Sequence, residues 1–175
     1  MHGRIEEKND QHLWNFLFSV LFAGLIVLSV YYLTGRGLLP SSISLFDTVL
    51  IIFAVFRVTR LFVYDRITLF IRDIFLRSRV IKDEQGTVLV ERTSYKTGPF
   101  RTIHELLDCP WCVGVWVSLA VIFSYLVFPF AWYVIFFLAV AGAGSLMQLL
   151  GNLMGWKAEN LKLEARERGS MQKDR

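Results

Sequence analysis

Two long stretches of this chain, residues 13–33 and residues 113–150, contain no Asp, Glu, Lys or Arg. A helix rises about 1.5 Å per residue, so roughly 20 apolar residues cross the roughly 30 Å hydrocarbon layer of a bilayer. The second stretch is long enough for two crossings and is interrupted by Pro129. Proline lacks the amide proton that a helix interior uses, so two helices joined by a tight turn are expected there. Hydrophobic residues make up 54% of the 175 positions and charged residues only 19%. A soluble core of this size could not bury so much apolar surface. The expected fold class is all-α integral membrane, a single domain without repeats or low-complexity tracts.

Four spans are expected, at about 13–33, 45–63, 110–128 and 130–151. The first is longer than a signal-peptide apolar region and runs into Tyr31-Tyr32-Leu33-Thr34-Gly35-Arg36 without a small-residue cleavage site, so it reads as a retained span. The second is the least apolar. Residues 45–56 carry only Asp47, but a crossing helix must continue through Arg57 and Arg60 to about Val63. Ser44 and Asp47 fit a capping box that starts this helix.

Basic residues set the direction. Arg4 and Lys8 lie on the N-terminal tail, Arg36 alone lies in the first loop, and the Pro129 turn has none. Every other Lys and Arg falls between Arg57 and Asp108 or after Gly155. Positive charge gathers on the cytoplasmic side, which places both termini, the loop 64–109 and the charged tail 156–175 inside the cell. Trp14, Trp111, Trp116 and Trp156 then fall near inner ends, and Tyr31, Tyr32, Tyr125, Trp132 and Tyr133 near outer ends, as interfacial aromatics do. With its basic residues placed this way, the net charge of +4 points to membrane lipids and not to nucleic acid.

Within the loop, residues 64–79 mix Ile67, Phe70, Ile71, Ile74 and Phe75 with Arg66, Arg72, Arg77 and Arg79. That pattern predicts an amphipathic helix, lying either on the anionic inner leaflet or against the spans. Residues 80–81 and 87–90 flank a polar turn and suggest a small β-hairpin. Thr102 and Glu105 form a capping-box pattern for a short helix that leads to the cysteines.

Two polar groups need a reason to be where they are. Counted from Phe46, Arg57 lies about 16 Å into the second helix and Arg60 about 21 Å. A charge near mid-membrane costs at least about 2.5–3.5 kcal/mol unless it is paired or snorkels. Arg57, Arg60 and Tyr64 share one helical face, and Asp65 follows. This set marks a candidate site for an anionic lipid or a lipid-linked phosphate, with snorkelling as the plainer reading. Asp108 and Gln148 are candidate partners for Arg57.

The second group is Cys109-Pro110-Trp111-Cys112, the only two cysteines. Pro110 suits the first helical position, leaving Cys109 at the N-cap, where the positive helix end favours a thiolate. Three readings stand side by side. They are packing at a helix start, a redox pair with Cys109 and Cys112 as catalytic residues, and a metal site in which His104, Cys109 and Cys112 bind zinc. Small residues also cluster at Ala139, Ala141, Gly142, Ala143, Gly144 and Ser145, with Gly151 and Gly155 beyond, a spacing that permits close helix approach within the bundle or between copies.

The run Arg57-x-x-Arg60-Leu61 with Tyr64-Asp65, followed by Cys109-Pro110-Trp111-Cys112-x-Gly114-x-Trp116, resembles an uncharacterised family of small membrane proteins. Its members occur in spore-forming bacilli and in phages and include the YjcA-like sporulation proteins. The resemblance covers residues 46–150. It implies a membrane location and a process, spore development, without a reaction. The sequence holds no Ser/His/Asp set, phosphate-binding loop or paired carboxylates. The expected function is that of a non-enzymatic component, binding lipids and either other membrane proteins or itself.

Overall fold

The computed structural model describes residues 2–82, 88–95 and 97–173. Helix α1 spans His2–Gly35, α2 Leu45–Val63, α3 Leu69–Ile74, α4 Pro99–Asp108, α5 Pro110–Val127 and α6 Ala131–Lys173. Strands β1, Leu76–Lys82, and β2, Val88–Ser94, pair antiparallel between α3 and α4, with Val80 opposite Val90. Of the turn expected between them, residues 82–86, Lys82 ends β1 and the rest lies outside the described residues.

Among the described residues three helical segments are long and apolar enough to cross a membrane: Asp10–Gly35, Pro110–Val127 and Ala131–Arg166. The chain is therefore a membrane protein with an all-helical bundle. The 19-residue α2 is not among the three, because it carries Asp47, Arg57 and Arg60. Its length nevertheless comes to about 28 Å. Phe137, Tyr31 and Val27 are each about 70% exposed, and among the described residues no large side chain is fully buried. Such outward-facing apolar surface suits contact with hydrocarbon, where helices are held by close packing more than by exclusion of water.

The centre of the bundle is the pair α2 and α6, which run side by side in the same direction. At their starts Trp132 Nε1 donates to Asp47 Oδ1 at 3.1 Å. Ser44 accepts the Asp47 amide at 3.0 Å and donates to its carboxylate at 2.7 Å, the capping box expected there. One core joins Leu50, Ile51 and Ala54 to Ala131, Ile135 and Ala139, with Ala54 fully enclosed. A second joins Val63 to Val113 and Val117 of α5. A Cβ added at Gly142 would lie 2.3 Å from the Phe53 carbonyl oxygen, so glycine there sets how closely α2 and α6 approach. Gly144, Gly151 and Gly155 meet nothing within 4 Å. Only one of the expected small positions on α6 is thus a glycine pressed against a neighbour.

α1 is attached more lightly, through the Phe22–Trp116 and Tyr32–Phe123 ring pairs at 4.9 and 5.9 Å.

Two expectations for the polar segments need correction. The amphipathic helix over residues 64–79 is a 3-10 turn at Arg66–Thr68 followed by the six-residue α3, and a strand begins at Leu76. Its basic face does not simply point to solvent. Arg72 donates to the Val63 and Asp65 carbonyls, and Thr68 donates to the Leu61 and Asp65 carbonyls. These side chains satisfy carbonyls that the end of α2 leaves open.

Thr102 does not cap α4. That helix starts at Pro99 after Gly98, whose φ of 106° favours glycine. Thr102 sits one turn further in, and Glu105 pairs with Arg101 at 2.7 Å. The charged tail continues the fourth apolar helix, since α6 runs through Gly151 and Gly155 to Lys173.

Candidate functional sites at the basic end of the bundle

The end of α2, the start of α5 and the middle of α6 meet at one end of the bundle, called here the basic end. Three polar clusters lie there.

The first is built on α2. Arg57 Nη1 lies 2.9 Å from Asp65 Oδ2, with both side chains about one quarter exposed. Asp65 can reach back because the chain leaves the helix at Tyr64 and turns over its own C-terminus. Arg57 thus finds its acid eight residues along the chain, and not at Asp108 or Gln148. Arg60 is treated differently. Its guanidinium carbon stands 5.9 Å from the Phe56 ring centre and 5.2 Å from that of Tyr64. These are residues one turn before and one turn after it, so helical spacing alone produces the stack. Both arginines, Asp65, Ser145, Gln148, Leu149 and Asn152 line a mostly polar cavity of about 240 Å³ between α2 and α6. The cavity thus gathers Arg57, Arg60 and Asp65, as the sequence suggested, while Tyr64 contributes through its stack on Arg60.

The second cluster is the cysteine pair. Cys109 is the N-cap of α5 and Pro110 its first residue, as the spacing predicts. The Cys112 backbone amide donates to Cys109 Sγ at 3.4 Å, and the two sulfurs are 2.9 Å apart as free thiols. Hydrogen bonds from the Cys112 thiol and then from the Cys112 amide hold the Cys109 pKa below the ordinary thiol value, and partial desolvation opposes them. The third ligand of the expected zinc set is elsewhere engaged: His104 Nδ1 lies 3.1 Å from Asp108 Oδ2, one turn along α4. Among the described residues no three His, Cys, Asp or Glu side chains gather as a metal site would require.

The third cluster was not anticipated. Gln11 and Thr102 are buried, at 7% and 6% exposure. Gln11 Nε2 donates to Thr102 Oγ1 at 2.9 Å and to Asn15 Oδ1 at 3.1 Å, and Thr102 Oγ1 donates to Asn15 Oδ1 at 3.0 Å. This triad ties the start of the α1 apolar segment to α4. The available signal was the pair Gln11 and Asn15, one turn apart on a helix about to enter hydrocarbon. Below the triad, Asn15, Ser19, Thr102, Glu105, Cys112 and Trp116 help to line a cleft of about 400 Å³.

Comparison with known proteins places these clusters in context. The family described as "Protein of unknown function (DUF1360)" matches residues 50–151, which take in the arginine and cysteine clusters and leave α1 and the end of α6 outside. UPF0713 protein YngL of Bacillus subtilis (strain 168) is 36% identical over 107 residues, covering 61% of this chain and 78% of the relative. Sporulation protein YjcA of the same organism is 37% identical over 103 residues, covering 58% of this chain and 87% of the relative. No solved structure matches the chain.

Proposed function

The chain belongs to the DUF1360 family, and from that premise we propose that it is a four-span membrane component of spore development, acting by assembly or interaction rather than by catalysis. The observation that carries this reading is the 37% identity to a protein named for sporulation, extending over 87% of that relative. Both termini and the loop between α2 and α5 lie in the cytoplasm, following the distribution of Lys and Arg. α2 is the fourth span. Support for its crossing comes from its packing along α6, from Asp47 bound to Trp132 at one end, and from Arg57 neutralised by Asp65 toward the other. A paired arginine costs far less in a bilayer than a bare one.

A fluorescent fusion at the C-terminal tail, produced in sporulating Bacillus subtilis lacking YjcA, is expected to gather in the membranes around the developing spore. An even spread over the cell membrane throughout sporulation overturns the proposal.

The 2.9 Å separation of the Cys109 and Cys112 sulfurs favours a second reading, exchange with an external disulfide. Cys109 thiolate attacks one sulfur of that disulfide and expels the other as a thiolate. Cys112, having lost its proton to solvent, attacks Cys109 of the mixed disulfide and releases the second thiolate. The protein dithiol gives up two electrons and the external disulfide takes them. Mixed-disulfide trapping tests it: Cys112→Ser should accumulate a glutathione adduct at Cys109 in oxidised glutathione. Failure to form that adduct removes the reading and leaves packing at the helix start.

A further inference from the structure

The cavity between α2 and α6 has an uneven set of charges. Arg57 and Asp65 cancel one another at 2.9 Å. Arg60 has no carboxylate within ion-pair distance among the described residues; its guanidinium carbon stands over the rings of Phe56 and Tyr64. Ring contact occupies the flat faces of a guanidinium and leaves its N–H edge available as donors. Gln148 and Asn152 stand one turn apart on α6 and line the same cavity, and their amides add neutral donors. Ser145 also lines the cavity but donates its hydroxyl proton to its own helix, at the Ala141 carbonyl. The space therefore sets one net positive charge beside two amides across about 240 Å³.

We propose that this cavity binds a phosphate group, with Arg60 as the charged ligand and Gln148 and Asn152 as hydrogen-bond donors. Guanidinium edges match phosphate oxygens in pairs, and amides complete the shell without adding charge. The volume admits a phosphate ester and excludes acyl chains. Leu149 forms one wall. An anionic phospholipid can thus seat its headgroup in the cavity, with its chains left in the surrounding hydrocarbon. The pairing of Arg57 with Asp65 has its own place here. It keeps a second arginine at the cavity wall without a second full charge, which suits a ligand carrying one net negative charge. The inference goes beyond a role in sporulation and does not depend on it.

The test uses full-length protein in nonionic detergent. Binding of phosphatidylglycerol, of diacylglycerol with the same chains, of glycerol phosphate and of inorganic phosphate is measured by native mass spectrometry or intrinsic tryptophan fluorescence. Phosphatidylglycerol is expected to bind at least tenfold tighter than diacylglycerol. Arg60→Gln should remove most of that preference, and Arg36→Gln none of it. Gln148→Leu with Asn152→Leu should weaken it several-fold, and since both positions are exposed this variant keeps the test valid where Arg60→Gln folds poorly. Binding of glycerol phosphate or inorganic phosphate as tightly as the lipid, lost in the same variants, supports the phosphate site and assigns it a soluble ligand. Equal binding of phosphatidylglycerol and diacylglycerol, or phosphatidylglycerol binding unchanged in the Gln148/Asn152 double variant, overturns the proposal.

Discussion

Gly142 of α6 lies so close to Phe53 of α2 that a Cβ would stand 2.3 Å from the Phe53 carbonyl oxygen and 3.3 Å from Arg57 Cβ. The obstacle on the α2 side is backbone, which cannot rotate out of the way. Gly142→Ala must therefore push two helices apart along their shared core, at a cost of about 1–3 kcal/mol for overpacking. The midpoint of thermal unfolding in detergent should fall for Gly142→Ala and hold or rise for Gly144→Ala, where nothing lies within 4 Å. Equal midpoints for both variants would refute this account of the α2–α6 contact.

The Gln11–Asn15–Thr102 triad makes a separate prediction. Thr102→Val keeps the shape of the side chain and removes its hydroxyl. It takes away one acceptor of the Gln11 amide and one donor to Asn15 in a buried site, leaving only the Gln11–Asn15 bond of the three. A buried group left without its partner costs about 1–3 kcal/mol. Hydrogen exchange should then quicken across α4 while the α2–α6 core keeps its protection, and Thr102→Ser should behave like the parent. Unchanged exchange in Thr102→Val would mean that the triad holds nothing together.

A third expectation concerns pH. The downward shift at Cys109 means that its thiolate is present at pH values where an ordinary thiol is still protonated, and the leading cause is the hydrogen bond from Cys112. Alkylation of Cys109 by iodoacetamide, followed against pH by mass spectrometry, should inflect below the ordinary thiol range. Cys112→Ala removes the main donor and should move the inflection upward. The same inflection in both proteins would show that Cys112 does not set the reactivity of Cys109.

Topology provides the fourth. Reporter fusions after Met154, and single cysteines placed between residues 79 and 101 in a chain freed of its own two, should report the cytoplasm. Labelling of that loop by an impermeant maleimide in intact cells would leave α2 as a helix that does not cross.

The bundle was legible in the sequence where the physics is local and repeated. Charge-free runs fixed α1, α5 and α6, Ser44 and Asp47 marked the start of α2, and Pro110 placed Cys109 at its cap. Reading failed where a side chain serves a partner that helical spacing does not predict. Arg72 looked like part of a membrane-facing stripe, yet it closes the end of α2. Thr102 looked like a cap, yet it answers Gln11 from 91 residues away. For Arg57 the sequence suggested an acidic partner, but the turn at Tyr64 that brings Asp65 to it leaves no periodic trace.

α6 runs unbroken from Ala131 to Lys173, 43 residues that come to about 65 Å of rod. Its first half is clamped to α2, and beyond the cavity its residues 153–166 are exposed. A rod held at one end transmits tilt and rotation to the other, with the displacement growing along its length. A small change of angle where Gly142 meets Phe53 would become several ångströms at Leu161 and Leu163. Whatever grips the charged half of α6 would therefore feel the packing of the membrane half directly, as motion and not as a diffusible signal.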